Sequence, residues 1–241
     1  MPSEWPPPDF RVQVEELHEG EGSSVASRRF TVTADGVCIY SRSTQPLVDP
    51  ESHTAIPVFG TISAYQLCGE CTRQLARLLH RRGVLALDQE QGDRRETKGV
   101  SLRLSYRAFE NERIVVASGQ VHGSFVGVLH VVNAYVPPGE EFTLPGMVGD
   151  PLPSNLIGVP APAESVPGAL AFHEQLLAQH PNDADLLLDT FALSCAARDR
   201  AKAEQLLSRW TAAADIGASA AAPFADPPRL LPDMLRRMLP N

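Results

Sequence analysis

Lysine is almost missing from this chain. Of 21 basic residues only Lys98 and Lys202 are lysine, and 29 acidic residues leave a formal net charge of −8. Nucleic acids and anionic membrane surfaces both require clustered positive charge, so this balance argues against either as the main ligand. The preference for arginine reads as genomic composition. Long apolar runs are missing too: none approaches the roughly 18 residues of a membrane span, and mean hydropathy is −0.13. Cysteine is scarce. Cys38, Cys68, Cys71 and Cys195 are four in 241 residues, too few for a disulfide framework. The opening MPSEWPPP has neither a basic segment nor an apolar stretch, so no secretory signal is read and a reducing cytoplasm is expected. Catalytic signatures are missing as well: there is no G-x-S-x-G, no phosphate-cradling G-x-x-x-x-G-K-[ST], no dinucleotide fingerprint, and no H-x-x-x-H or H-E-x-x-H among the seven histidines. No cofactor is expected.

Proline, by contrast, is abundant, at 21 residues or about 9% against a usual ~5%, and it collects at joints. Between Pro137 and Pro167 there are eight prolines and four glycines in 31 residues, which predicts a linker or an extended strap. The charge changes across it, with 14 basic and 16 acidic residues before Gly139 and 7 basic and 13 acidic after it. The expected organisation is an N-terminal arm (1–9), an α+β sheet domain (10–136), the Pro/Gly-rich strap (137–167), a small all-α domain (168–213), an Ala/Pro linker (214–228) and a C-terminal helix (229–241).

Within 10–136, Phe10, Val12 and Val14 alternate with Arg11, Gln13 and Glu15 as a half-buried strand requires. Residues 28–33 and 37–42 flank Asp35-Gly36, a strong hairpin signal. Ser43 to Gly60, with Pro46, Pro50 and Pro57, reads as a long loop and a candidate contact surface. A helix is expected from Thr61 or Ser63 to Arg82, with Cys68, Cys71, Leu75, Leu78 and Leu79 on one stripe and Gly83 as the stop. Val84–Leu87 reads as a short strand, Val100–Tyr106 as an alternating one, Arg113–Ser118 as its hairpin partner, and Ser124–Ala134 as a helix. The fold class is an antiparallel sheet with one or two packed helices.

After the strap, helices are expected at Gly168–His180, from an Asn182-Asp183 cap to Ala197, and at Asp199–Ala213, with Leu186, Leu187, Phe191, Cys195, Ala203, Leu206, Leu207 and Trp210 inward. In the stretch LLAQHPNDADLLLDTFALSCAARDRAKAEQLLSRW, Pro181 follows a helix, Ala192 is small, and Ala203 stands where an alanine is favoured. On these residues the segment resembles tetratricopeptide-repeat helices over about one and a half repeats, with Thr190 and Cys195 where that family has its glycine and tyrosine. The resemblance implies a helical hairpin of repeat type docked on something else. Gly60, Ile62, Ser63, Leu75, Leu78, Leu79, Gly83, Leu87 and the strand at Val100–Tyr106 loosely resemble emfourin-type domains, which implies inhibition of thermolysin-like metallopeptidases.

Two features carry candidate chemistry. Cys68-Gly69-Glu70-Cys71 puts two sulfurs on one helix face, compatible with a redox pair or half of a zinc site. Both cysteines also continue the leucine stripe, so they are expected in the core. In the last segment, Leu231, Met234, Leu235 and Met238 form an apolar stripe beside Arg236 and Arg237, either a partner-binding helix or a cap folded back on the preceding helices. The function expected from these features is a non-catalytic, cytoplasmic, bacterial protein–protein interaction or regulatory protein. The alternatives are a peptidase inhibitor acting through the N-terminal domain and a metal- or thiol-dependent protein using Cys68 and Cys71.

Overall fold

The computed structural model describes residues 5–240 apart from 21–22, 44–45, 54, 57, 93–98, 122, 145–165 and 217–230. Most of the expected strap and most of the Ala/Pro linker therefore lie outside the described residues. The chain divides into two units: Met1–Ser41 with Ile62–Ala161, and Arg42–Thr61 with Pro162–Asn241.

The first unit is built on a seven-stranded, mostly antiparallel sheet. Its strands are β1 (Arg11–Gly20), β2 (Ser23–Thr33), β3 (Val37–Ser43), β6 (Phe59–Gln66), β7 (Glu90–Gln91), β8 (Val100–Ala108) and β9 (Asn111–Ser118), in the order β6-β3-β2-β1-β8-β9-β7. Alternation fixes the faces: Val12 pairs with Val32 and Tyr106, and Val14 with Phe30 and Leu104, all on the core side. Two helices, α1 (Gly69–Arg81) and α2 (Ser124–Asn133), share that core through Leu75, Leu79, Phe125, Val128 and Leu129. On the other face Glu15 lies opposite Arg29 and Arg103, with Arg103 3.6 Å from its carboxylate. The β8–β9 turn puts Phe109 and Glu110 at φ 54° and 62°, and the Asp9 carboxylate accepts both their N–H groups at 2.9 and 2.7 Å. The start of the strap is pinned to this unit. Phe142 is fully buried, its N–H and C=O both bonded to the Asn133 amide, and Tyr40 donates to Glu140 at 2.6 Å.

The second unit holds α3 (Val166–Gln179), α4 (Ala184–Ala196), α5 (Arg200–Ile216) and α6 (Leu231–Arg237), with α4 packed on both α3 and α5 and α6 packed on α5. Asp183 caps α4 by accepting the Leu186 N–H at 3.0 Å. Leu186, Leu187, Phe191, Cys195, Ala203, Leu206 and Leu207 are buried as their spacing predicts, while Trp210 is half-buried. The segment expected to be a plain loop belongs here. It forms a two-stranded sheet of β4 (Leu47–Val48) and β5 (Ala55–Ile56), and Val58 is buried among Ala169, Leu170, Ala192 and Leu193. Thr61 hydrogen-bonds the buried His173 ring.

Two local expectations change. Residues 59–66 are a strand and not the first turns of a helix: from Thr61 on, the buried Thr61, Ser63 and Tyr65 alternate with the less buried Ile62, Ala64 and Gln66, a period of two. Val84–Ala86 is a short 3-10 turn and not a strand, entered through Gly83 at φ 74°.

Candidate functional site

Because β6 runs to Gln66, α1 begins only at Gly69, and Cys68 becomes its N-cap with an extended backbone (φ −66°, ψ 152°). An N-cap residue falls outside the helical stripe, so Cys68 leaves the row of Leu75 and Leu79 and stands exposed, while Cys71 is half-buried against the core. The expectation of two core cysteines is corrected by this one-element shift. The arrangement is a strand, a one-residue link through the buried Leu67, then a C-x-x-C at a helix N-terminus.

The geometry brings a backbone donor and a second sulfur to Cys68 Sγ. Cys68 Sγ accepts the Cys71 N–H at 3.2 Å, and the two sulfurs lie 2.7 Å apart. The Cys71 thiol, and after it the Cys71 backbone N–H, hold the Cys68 thiol below its ordinary pKa, whereas the same contact pushes Cys71 up. The positive end of α1 acts in the same direction on Cys68. The other two cysteines are removed from chemistry by burial, which raises the Cys38 thiol and pushes Cys195 up to about 12.

Residues that the sequence reading did not assign to the site hold this turn. Thr72 bonds the Cys68 carbonyl twice, through its N–H at 3.0 Å and its hydroxyl at 3.1 Å. Gly36, in the β2–β3 hairpin, accepts the Leu67 N–H at 2.9 Å. Gly36 has φ 83°, and a Cβ there would lie 2.6 Å from the Thr72 hydroxyl and 2.9 Å from the Leu67 carbonyl. Only glycine fits that approach. Asp35-Gly36 was legible as a hairpin, but nothing local in the sequence tells that its turn abuts Leu67 and Thr72. From the other side, Tyr135 reaches the Cys71 carbonyl at 3.5 Å, and its own carbonyl accepts the Tyr65 hydroxyl.

The C-terminal stripe is placed differently from a free partner-binding helix. Leu235 and Met238 are buried and Met234 is half-buried, so the apolar side is covered. The Leu231 side chain lies outside the described residues. Arg237 donates to both oxygens of the buried Asp49 at 3.0 and 2.9 Å, and Arg236 pairs with Asp233 at 2.6 Å. The helices α3 to α5 also frame a groove of about 410 Å³ lined by Leu177, Thr190 and Leu206, in which Lys202 pairs with Glu174 and Arg209 donates to the Pro181 carbonyl.

Among the described residues no group of three or more His, Cys, Asp or Glu side chains is placed to hold a metal ion. No protein-family model matches the chain, and no curated protein matches it.

Proposed function

We propose that the chain carries a thiol–disulfide exchange centre, with Cys68 as the attacking thiol and Cys71 as the resolving one. The observation that supports it is the exposed Cys68 sulfur at the N-cap of α1, which accepts the Cys71 N–H and lies 2.7 Å from the Cys71 sulfur. In the forward direction the Cys68 thiolate attacks one sulfur of a substrate disulfide. A mixed disulfide forms, and the first substrate thiolate leaves and takes up a proton. Cys71, losing its proton, then attacks the Cys68 sulfur, the Cys68–Cys71 disulfide closes, and the second substrate thiolate departs. Two electrons pass from the dithiol of the chain to the substrate disulfide, and the reverse sequence oxidises a substrate dithiol. The short sulfur–sulfur separation makes the second step intramolecular, with a large effective concentration.

The test is alkylation and redox titration of the native full-length chain. Iodoacetamide should modify Cys68 at least roughly tenfold faster than Cys38 or Cys195 at neutral pH, and the pair should equilibrate with a glutathione buffer as a two-electron couple. Native Cys68 and Cys71 that neither react nor close a disulfide at any buffer ratio would overturn the proposal. Zinc held at one ion per two chains would overturn it as well, by assigning the pair to half of a shared metal site. Either failure leaves the non-catalytic interaction protein as the reading, which draws on the groove framed by α3 to α5.

A further inference from the structure

Resting on that exchange reading, we infer that the substrate is a disulfide displayed on the surface of another protein and not a free low-mass disulfide. Cys68, Gly69 and Glu70 are consecutive exposed residues, and Gln66, Arg73, Gln74 and Arg77 beside them are exposed too. A methyl group placed on Gly69 would meet nothing within 4 Å. The reactive sulfur therefore stands on an outward-facing rim, with the core on the far side of Cys71.

Sites for small ligands work by enclosure, burying roughly 70–90% of the ligand surface in a concave pocket. Among the described residues nothing encloses a glutathione-sized disulfide at Cys68 in this way. It gains little beyond the chemistry of the thiolate itself. A protein surface carrying a disulfide can instead lie against the rim and gather contact area over several residues, as transient protein–protein encounters do. The rim offers it hydrogen-bonding and charged groups in place of an apolar patch: Gln66, Glu70, and Arg73, which is paired with Glu70 at 2.8 Å. Such a surface suits a brief encounter, which is what the nearby resolving thiol requires, since Cys71 ends the mixed disulfide as soon as it forms.

Gly69 supplies the test, because a Cβ there meets nothing within 4 Å and a large side chain built on it would stand beside Cys68 in the path of an approaching protein. The reduced full-length chain is mixed with insulin or with oxidised glutathione, and closure of the Cys68–Cys71 disulfide is timed for each. Rates are normalised to those of dithiothreitol with the same two oxidants. The expected result is a normalised rate with insulin about tenfold above that with oxidised glutathione, with Gly69→Phe lowering the insulin-to-glutathione ratio about tenfold, a change in effective affinity of the size few-residue contacts give. Equal normalised rates, or a ratio unmoved by Gly69→Phe, overturn the inference and leave the exchange centre standing. Failure of both oxidants to close the pair overturns the exchange reading and the inference together.

Discussion

Cys71 acts on Cys68 through its thiol, which can donate once Cys68 is a thiolate, and through its backbone N–H, and only the first can be removed by substitution. Cys71→Ala leaves the helix N-terminus and the N–H in place but takes away the largest influence holding the Cys68 thiol below its ordinary pKa. A donor stabilises the thiolate, so its loss must raise the pKa. The pH profile of Cys68 alkylation should move to higher pH in Cys71→Ala, and the rate at neutral pH should fall roughly three- to tenfold as the thiolate fraction drops. An unmoved profile would show that the sulfur–sulfur contact has no electrostatic role. At this scale the sequence was half informative. The C-x-x-C spacing is plain, but exposure depends on whether Cys68 is inside the helix or caps it, and both assignments satisfy the same spacing.

That ambiguity was settled by the elements and not by the cysteines. FGTISAYQ carries a period of two, yet it runs straight into a helix whose apolar positions continue the pattern backwards, and the three β-type positions Thr61, Ile62 and Tyr65 were outweighed. The strands around Asp35-Gly36 and at Val100–Ala108 were legible because turn residues bound them. The C-terminal helix presents the opposite case. Its stripe was visible, but what covers it was not, because the residue that anchors it, Asp49, lies 188 positions away. The Asp49 carboxylate takes two bonds from Arg237 and others from Ser52, and Arg237 beside it holds it well below the ordinary carboxylate range. The sign follows directly. A carboxyl whose folded pKa is depressed contributes stability that is complete above its unfolded pKa and disappears as pH falls through the folded one. Hydrogen exchange at Leu235–Met238 should therefore stay slow through mild acid and accelerate only when Asp49 itself protonates. In Asp49→Asn the same amides should be fast already at neutral pH. Equal protection in the variant and the parent would show that apolar contact alone docks α6.

For the whole molecule, the proline map located the change from sheet to helices but not the border between units. The sequence pattern assigns all of 10–136 to one domain, whereas Arg42–Thr61 leaves that stretch and joins the helices. Hydrophobic patterning could not reveal this, since Leu47, Val48, Ile56 and Val58 stand in a proline-bearing stretch without a helix or strand period, and the partners of Val58, Ala169, Leu170, Ala192 and Leu193, are more than a hundred residues on. The consequence is physical. A fragment of residues 162–241 keeps every long helix of the unit and loses Val58, Thr61 and Asp49, which are all buried. Burying a valine is worth roughly 1.5–3 kcal/mol, and domains hold only about 5–15 kcal/mol in total. Besides losing Val58 itself, the fragment exposes the faces that Val58 covered on α3 and α4 and leaves both His173 and Arg237 without their Thr61 and Asp49 partners. Circular dichroism should show the fragment partly helical with a broad, non-cooperative melt, while the full-length chain melts sharply. A synthetic 42–61 peptide should restore some of that cooperativity when added in excess, because it carries the missing contacts as a ligand that binds only the folded helices. A fragment that melts as sharply as the parent would mean that the helices form a self-sufficient core and that the excursion merely lies against it.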